Sequence, residues 1–232
     1  MKKIILIGLS SFFVWSATVQ SEVIEVFTWK AIPGKTASLL SNMQVAAALH
    51  TKDGADVDIN QLNVGAEQVY EYVLRYDDFE SWGKAKDAVA LNPGWVEFWH
   101  ESGPYRPAGV LQSSFSGSNL DPSVKASDFA DYKVFGVYVW NANPGYNVEM
   151  LSNFAKAKEI HESMGAKVHY YTEGFGDNPG SFHYVMLYKN WTQMGKIQEK
   201  LASDEAWMEF YANINPEAAK MTRSLTGQIM TN

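Results

Sequence analysis

The chain has 232 residues, room for one large or two small domains, and its 46% hydrophobic and 19% charged content is an ordinary globular balance with no disorder signature. A formal charge of −7 excludes the basic footprint that nucleic acid rewards and disfavours anionic membranes. There is no cysteine, so disulfides, thiolate metal sites, thiol nucleophiles and lipoprotein anchoring are excluded, and twelve Phe, twelve Tyr and eight Trp must build an aromatic core or an aromatic pocket.

The first element is not a domain element. Lys2 and Lys3 precede an apolar run over residues 4–15 that is too short to span a bilayer comfortably. Small residues follow, with Val19-Gln20-Ser21 as a cleavage site. Residues 1–21 therefore read as a secretory signal peptide of Gram-negative type, which predicts a periplasmic or secreted protein with no membrane attachment after cleavage. The alternative is an uncleaved N-terminal anchor. Loss of the two lysines takes the charge two units more negative. No later stretch is long and apolar enough for a membrane helix.

Residues 23–29 alternate, which predicts a strand. Pro33-Gly34 ends it. From Lys35 to Lys52, Leu40, Met43, Ala47 and His50 recur at helical spacing. A second strand is predicted over 55–62, a turn around Gly65, and a third strand over 67–76. Asp77-Asp78 caps a second helix, Asn92-Pro93-Gly94 interrupts it, and a short helix carries Trp95 to Trp99. A last strand falls at 109–116, and the polar "SGSNLDPSVKASDFAD" over 116–131 reads as a linker.

The chain then says the same thing again. "FTWKAIPGKTASLLSNM" (27–43) recurs as "YVWNANPGYNVEMLSNF" (138–154), matching Trp29 with Trp140, Pro33 with Pro144 and Gly34 with Gly145. His50 matches His161, "GADV" (54–57) matches "GAKV" (165–168), and after one extra residue in "GFGDNPGS", "YVLRY" (72–76) matches "YVMLY" (184–188) and "WVEFW" (95–99) matches "WMEFY" (207–211). A match over roughly 75 residues with one indel is a tandem duplication. The copies span 22–115 and 132–232, the second ending in a strand near 224–230. Each has the order β-α-β-β-α-β, the ferredoxin-like split unit. One such sheet carries helices on one face only, so the two open faces are expected to pack on each other.

The element order, the strand-Pro-Gly-helix opening and the aromatic pairs Trp95/Phe98 and Trp207/Phe210 resemble the dimeric α+β barrel superfamily. That group includes antibiotic-biosynthesis-type monooxygenases, stress-responsive barrel proteins, small haem-degrading enzymes and fused relatives such as the chlorite dismutases. The resemblance implies an α+β fold in which two tandem ferredoxin-like repeats pack sheet to sheet as an intramolecular barrel. It does not imply one chemistry, because the fold hosts many. Fusion supplies the dimer within one chain, so a monomeric pseudo-dimer or a higher homo-oligomer is expected.

Alternation assigns faces. Ile24, Val26, Val57, Ile59, Phe135, Val137, Val139 and Val168 are expected toward the helices. Glu25, Phe27, Trp29, Asp58, Asn60, Glu71 and Arg75 of copy one are expected in the barrel, with Tyr138, Trp140, His169, Tyr171, Glu173 and His183 of copy two. A mixed aromatic and ionisable lining suits a small-molecule pocket. Phe27, Trp29, Arg75, Tyr138, Trp140 and Tyr171 are its expected ligand-binding residues, although plain core packing explains the two tryptophans equally well. Asp58 aligns with His169 and Glu71 with His183, so two carboxylates stand where the other copy has two imidazoles. These four are the catalytic candidates, and His169 and His183 the metal-ligand candidates. Solvation or structural ion pairing at strand ends is the simpler account of them. His50 and His161 share one helix-end position, which favours a structural role over haem ligation. The small haem-degrading members use a Trp and a His on the second helix, near Trp82 and His100 here, but also an Asn on the first strand, where this chain has Phe27 and Thr28. No hydrolase triad order, phosphate loop, HExxH or dinucleotide fingerprint appears.

Three functions follow. The first is an exported protein that binds or transforms a small apolar or aromatic molecule without a tightly held cofactor. The second is a metal- or haem-dependent oxidoreductase of the same fold. The third is a non-catalytic scaffold with a protein partner.

Overall fold

A computed structural model describes residues 21–65, 67–102 and 106–230. All of the segment read as a signal peptide except Ser21 lies outside the described residues. Copy one runs β1 (Val23–Ala31), α1 (Thr36–Lys52), β2 (Asp56–Leu62), β3 (Val69–Tyr76), α2 (Phe79–Leu91), α3 (Gly94–Ser102) and β4 (Gly109–Asn119). A single 3₁₀ turn (Ala126–Phe129) intervenes. Copy two repeats the order as β5 (Val134–Ala142), α4 (Asn147–Ser163), β6 (Lys167–Gly176), β7 (Phe182–Tyr188), α5 (Trp191–Leu201), α6 (Glu205–Ala212) and β8 (Ala219–Ile229).

Local chemistry explains the repeated punctuation. Asp78, Asn190 and Asp204 each accept a hydrogen bond from the backbone N–H three residues on, capping α2, α5 and α6. Gly54 and Gly165 both sit at φ +102° just after α1 and α4. There Ala55 N–H donates to His50 C=O and Ala166 N–H to His161 C=O, a left-handed helix end that only glycine takes without strain.

The eight strands close into one antiparallel barrel in the order β1-β3-β2-β8-β5-β7-β6-β4. The closure exchanges edges. β4 of copy one pairs with β6 of copy two, and β8 of copy two pairs with β2 of copy one. Glycine stands at the same place in both seams. A Cβ on Gly117 would meet Thr172 C=O at 2.7 Å, and one on Gly227 would meet Gln61 C=O at 2.8 Å.

The segment read as a linker is ordered into the barrel. Residues 116–119 are the end of β4. Beyond them Val124 and Phe129 are buried, with Phe129 between the Arg75 guanidinium, 3.7 Å above its ring, and the His169 ring at 4.7 Å.

Three apolar clusters fill the molecule. Two lie between helices and sheet: Leu39 and Met43 meet Tyr72 and Tyr76 in copy one, and Met150 and Phe154 meet Val168 and Tyr184 in copy two. The third lies inside the barrel around Ile24, Val26, Val73, Phe135 and Leu225. This reverses the expected faces of β1 and β5. Phe27 and Trp29 pack in the first helix-side cluster, and Tyr138 and Trp140 in the second. Glu25 turns to α2, accepting from Trp82 Nε1 and Lys86 Nζ. Ile24, Val26, Phe135, Val137 and Val139 point into the barrel instead. The physical reason is that both faces of these strands are covered, one by helices and one by the rest of the barrel, so neither face is marked by polarity. On β2, β3, β6 and β7 the expected faces hold, with Val57, Ile59 and Val168 in the helix-side clusters and Asn60, Glu71, Arg75, Tyr171, Glu173 and His183 inside.

Candidate active site in the barrel

The barrel encloses a cavity of about 220 Å³ to which all eight strands contribute. Its wall is mixed, with aliphatic residues such as Ile24, Val73 and Leu225 beside polar and charged ones such as Ser113, Glu173 and Arg223. One end is closed by a polar knot. Arg75 donates from Nη1 to Glu22 Oε1 at 2.7 Å and from Nε to Asp58 Oδ2 at 2.9 Å. Tyr171 Oη and Asn119 Nδ2 donate to Glu22 Oε2 at 3.1 and 2.9 Å, and Phe129 lies beneath. At the other end Thr222, Arg223 and Asp177 are exposed and form a mouth.

Glu71 and His183 lie below this mouth. Glu71 is 9% exposed and makes no ion pair within 4.0 Å among the described residues. Burial pushes its carboxyl above the usual carboxylate range, against the pull of Arg223 and Asn60. The neighbouring Asn60 Oδ1 is buried without a hydrogen-bond partner. His183 is held from behind. Its Nε2 is 3.3 Å from Glu173 Oε2 and 3.3 Å from Ser181 Oγ, and its ring lies on Phe115 with centroids 4.4 Å apart. Glu173 is fixed in turn by the Asn178 N–H at 2.7 Å, from the glycine-rich turn that holds the extra residue of copy two. Burial lowers the His183 pKa and Glu173 opposes the shift. A carboxylate facing Nε2 places the proton there, leaving the Nδ1 lone pair, which has no partner among the described residues. Ser181, His183 and Glu173 are not a hydrolytic triad, because serine and carboxylate meet the same ring nitrogen and Ser181 is 1% exposed.

The four catalytic candidates do not come together. Asp58 is bound to Arg75 at the closed end, and His169 is beside Phe129 there, while Glu71 and His183 are near the mouth. His169 is fully buried with both ring nitrogens unpaired, and burial takes its pKa down to about 3. No group of three His, Asp or Glu able to hold a metal occurs among the described residues. Of the six expected ligand contacts, Arg75 and Tyr171 line the cavity, whereas Phe27, Trp29, Tyr138 and Trp140 do not. His50 and His161 place Nδ1 at 2.9 and 2.8 Å from the hydroxyls of Tyr72 and Tyr184. His100 is exposed at the end of α3, and Trp82 is bonded to Glu25.

Sequence reasoning passed over Thr28, Ser113 and Arg223. The phase of Arg223 with Leu225 along β8 marks it as inward, but that strand begins earlier than expected and slips register by one residue beside Val139/Trp140.

No protein-family model matches the chain, and no curated protein matches it either. Solved structures do. A monooxygenase candidate from Fusobacterium nucleatum aligns at 12% identity and TM-score 0.61 over 90% of this chain and 92% of that one. An anthrone oxidase-like protein aligns at 12% and 0.61 over 93% of each. The chain has the dimeric α+β barrel fold. A haem-binding protein from Thermus thermophilus shares that fold at 12% identity and TM-score 0.50, over 91% of this chain and 92% of that one. Haem needs an imidazole nitrogen turned to the iron and room for a macrocycle. Here His50 and His161 bond tyrosines in filled cores against Trp95 and Trp207, His169 is stacked on Phe129, and the free Nδ1 of His183 has only the barrel cavity before it. The cavity of about 220 Å³ is also below the size of drug-scale pockets. The described residues do not fit haem.

Proposed function

We propose that this is an exported barrel protein that binds a small, largely apolar or aromatic molecule carrying one hydrogen-bonding oxygen, without a tightly held cofactor. The observation that carries this reading is a carboxyl and an unpartnered amide oxygen, Glu71 and Asn60 Oδ1, beside an apolar stretch of the cavity wall that includes Val73, Val137, Phe135 and Leu225. A buried polar atom without a partner costs about 1–3 kcal/mol, so a ligand hydroxyl that supplies the bond gains affinity there. An apolar cavity of about 150 Å³ holds benzene. At about 220 Å³ this one suits one or two rings. Calorimetric titration with 2-naphthol and naphthalene tests the reading. Naphthol is expected to bind about tenfold more tightly, the equivalent of one net hydrogen bond. Val73→Phe, which fills the cavity, is expected to abolish binding of both. Equal affinities, or binding that survives Val73→Phe, would sink the proposal.

A further inference from the structure

The ring order of the strands has a chemical consequence. In a closed ring of eight, β3 and β7 are four strands apart and face each other across the barrel. Glu71 and His183 occupy equivalent places on them, since Glu71 is paired with Thr28 of β1 and His183 with Val139 of β5, the matching residues of the two copies. Both line the same cavity. A single ancestral position has therefore become a carboxyl on one wall and an imidazole on the other. Arg223 is on β8, two strands from each, in register with Val139, and its charge acts on both groups.

We infer that Glu71 and His183 are an acid and a base that move a proton across a carbonyl compound held between them, so that the barrel is a proton-transfer isomerase. This rests on the reading above that the cavity takes a small, largely apolar molecule; the ketone oxygen, an acceptor, is assigned to Arg223 and not to Asn60 Oδ1. The opposed positions matter because a 1,3-shift removes a proton at one carbon and returns one at another. For a β,γ-unsaturated ketone, His183 Nδ1 takes a proton from the α-carbon, breaking that C–H bond. The electron pair passes into a dienolate whose oxygen faces the guanidinium of Arg223. Glu71 delivers its proton to the γ-carbon, and the double bond moves into conjugation. One C–H bond is broken and one is made, with no oxidant or reductant. The proton on His183 returns to the Glu71 carboxylate through water at the mouth. Glu173 is a positioning residue that holds the imidazole tautomer with Nδ1 free. Burial shifts Glu71 toward the protonated form and His183 toward the neutral form, the directions the transfer needs.

The test follows conversion of a two-ring β,γ-unsaturated ketone, an octalone, to its conjugated isomer by ultraviolet absorbance, using the mature protein. A rate at least about 100-fold above buffer is expected, lost by about 10²-fold or more in His183→Gln and in Glu71→Gln. Both variants should still bind the conjugated product within about threefold of wild type, which separates lost chemistry from lost folding. The exposed His100→Ala should leave the rate unchanged. If octalone binds and no acceleration is seen, or if both Gln variants keep the wild-type rate, the isomerase assignment is overturned while the binding site stands. If naphthol binds and octalone does not, the carbonyl substrate class is overturned. If neither binds, both readings fall.

Discussion

His50 and His161 show how burial sets charge at a single residue. Each is brought to a pKa of about 4 mainly by burial, against an ordinary 6.5, and each donates to or accepts from a tyrosine hydroxyl through Nδ1. The sign of the linkage is fixed: the folded state holds these imidazoles neutral, so the unfolded chain binds more protons between pH 6.5 and 4. Their contribution to stability is full above pH 6.5, declines as pH falls toward 4, and is level below. For His161, 4% exposed and shifted to a pKa of about 4, the loss is on the order of 3 kcal/mol. Urea midpoints measured from pH 7.5 to 4.5 should fall, and His161→Gln should flatten that slope. An unchanged slope would show that His161 does not titrate in this window. The structural role of this pair was legible, since a residue repeated at one position serves what both copies share. The inward placement of Glu71 and His183 was legible from the phase of their strands, and the comparison of copies drew notice to them because the two differ at that position. Their partners Asn178 and Arg223 were not, because a turn after an indel and a slipped strand have no counterpart to compare.

At the scale of elements, β1 and β5 are the instructive case. Both faces of these strands are covered, so alternation lacks the polar face that normally marks the outside. In β1 the polar marker was Glu25, and it misled, because Lys86 and Trp82 bury it beneath α2. On β2, β3, β6 and β7 one face carries several charged or polar residues, and the phase was readable. The assignment of Trp140 to the helix side makes a prediction contrary to the sequence reading. Trp140→Ala should lower stability by about 2 kcal/mol, less than a fully buried tryptophan, and leave naphthol affinity within about twofold. Loss of binding with stability intact would return Trp140 to the pocket. The pair of seam glycines predicts the reverse balance of cause. Gly227→Ala should destabilise by about 1–3 kcal/mol through a backbone clash with Gln61, read as a lower thermal midpoint. A neutral outcome would mean that the seam has slack.

For the whole molecule, duplication made the fold readable, because two copies of one β-α-β-β-α-β string each leave a sheet face to be covered. The edge exchange was not readable, since it depends on pairings such as Asn60 with Ile229 and Asn119 with Tyr171, far apart in sequence. It predicts interdependence. Residues 22–125 and 126–232, produced separately, should be unstable or self-associate, and mixed they should yield a one-to-one complex by native mass spectrometry. A stable monomeric half would show that the exchanged edges are dispensable. The segment between the copies has a further effect through Phe129. Because it stoppers the barrel beneath Arg75 and the opposite end is open, the interior is a blind well rather than a conduit. Arrivals and departures share one doorway, so an occupant must leave before its successor can settle. If the isomerase proposal holds, turnover in such a vessel is expected to be paced by emptying, with a tightly held product as its own inhibitor.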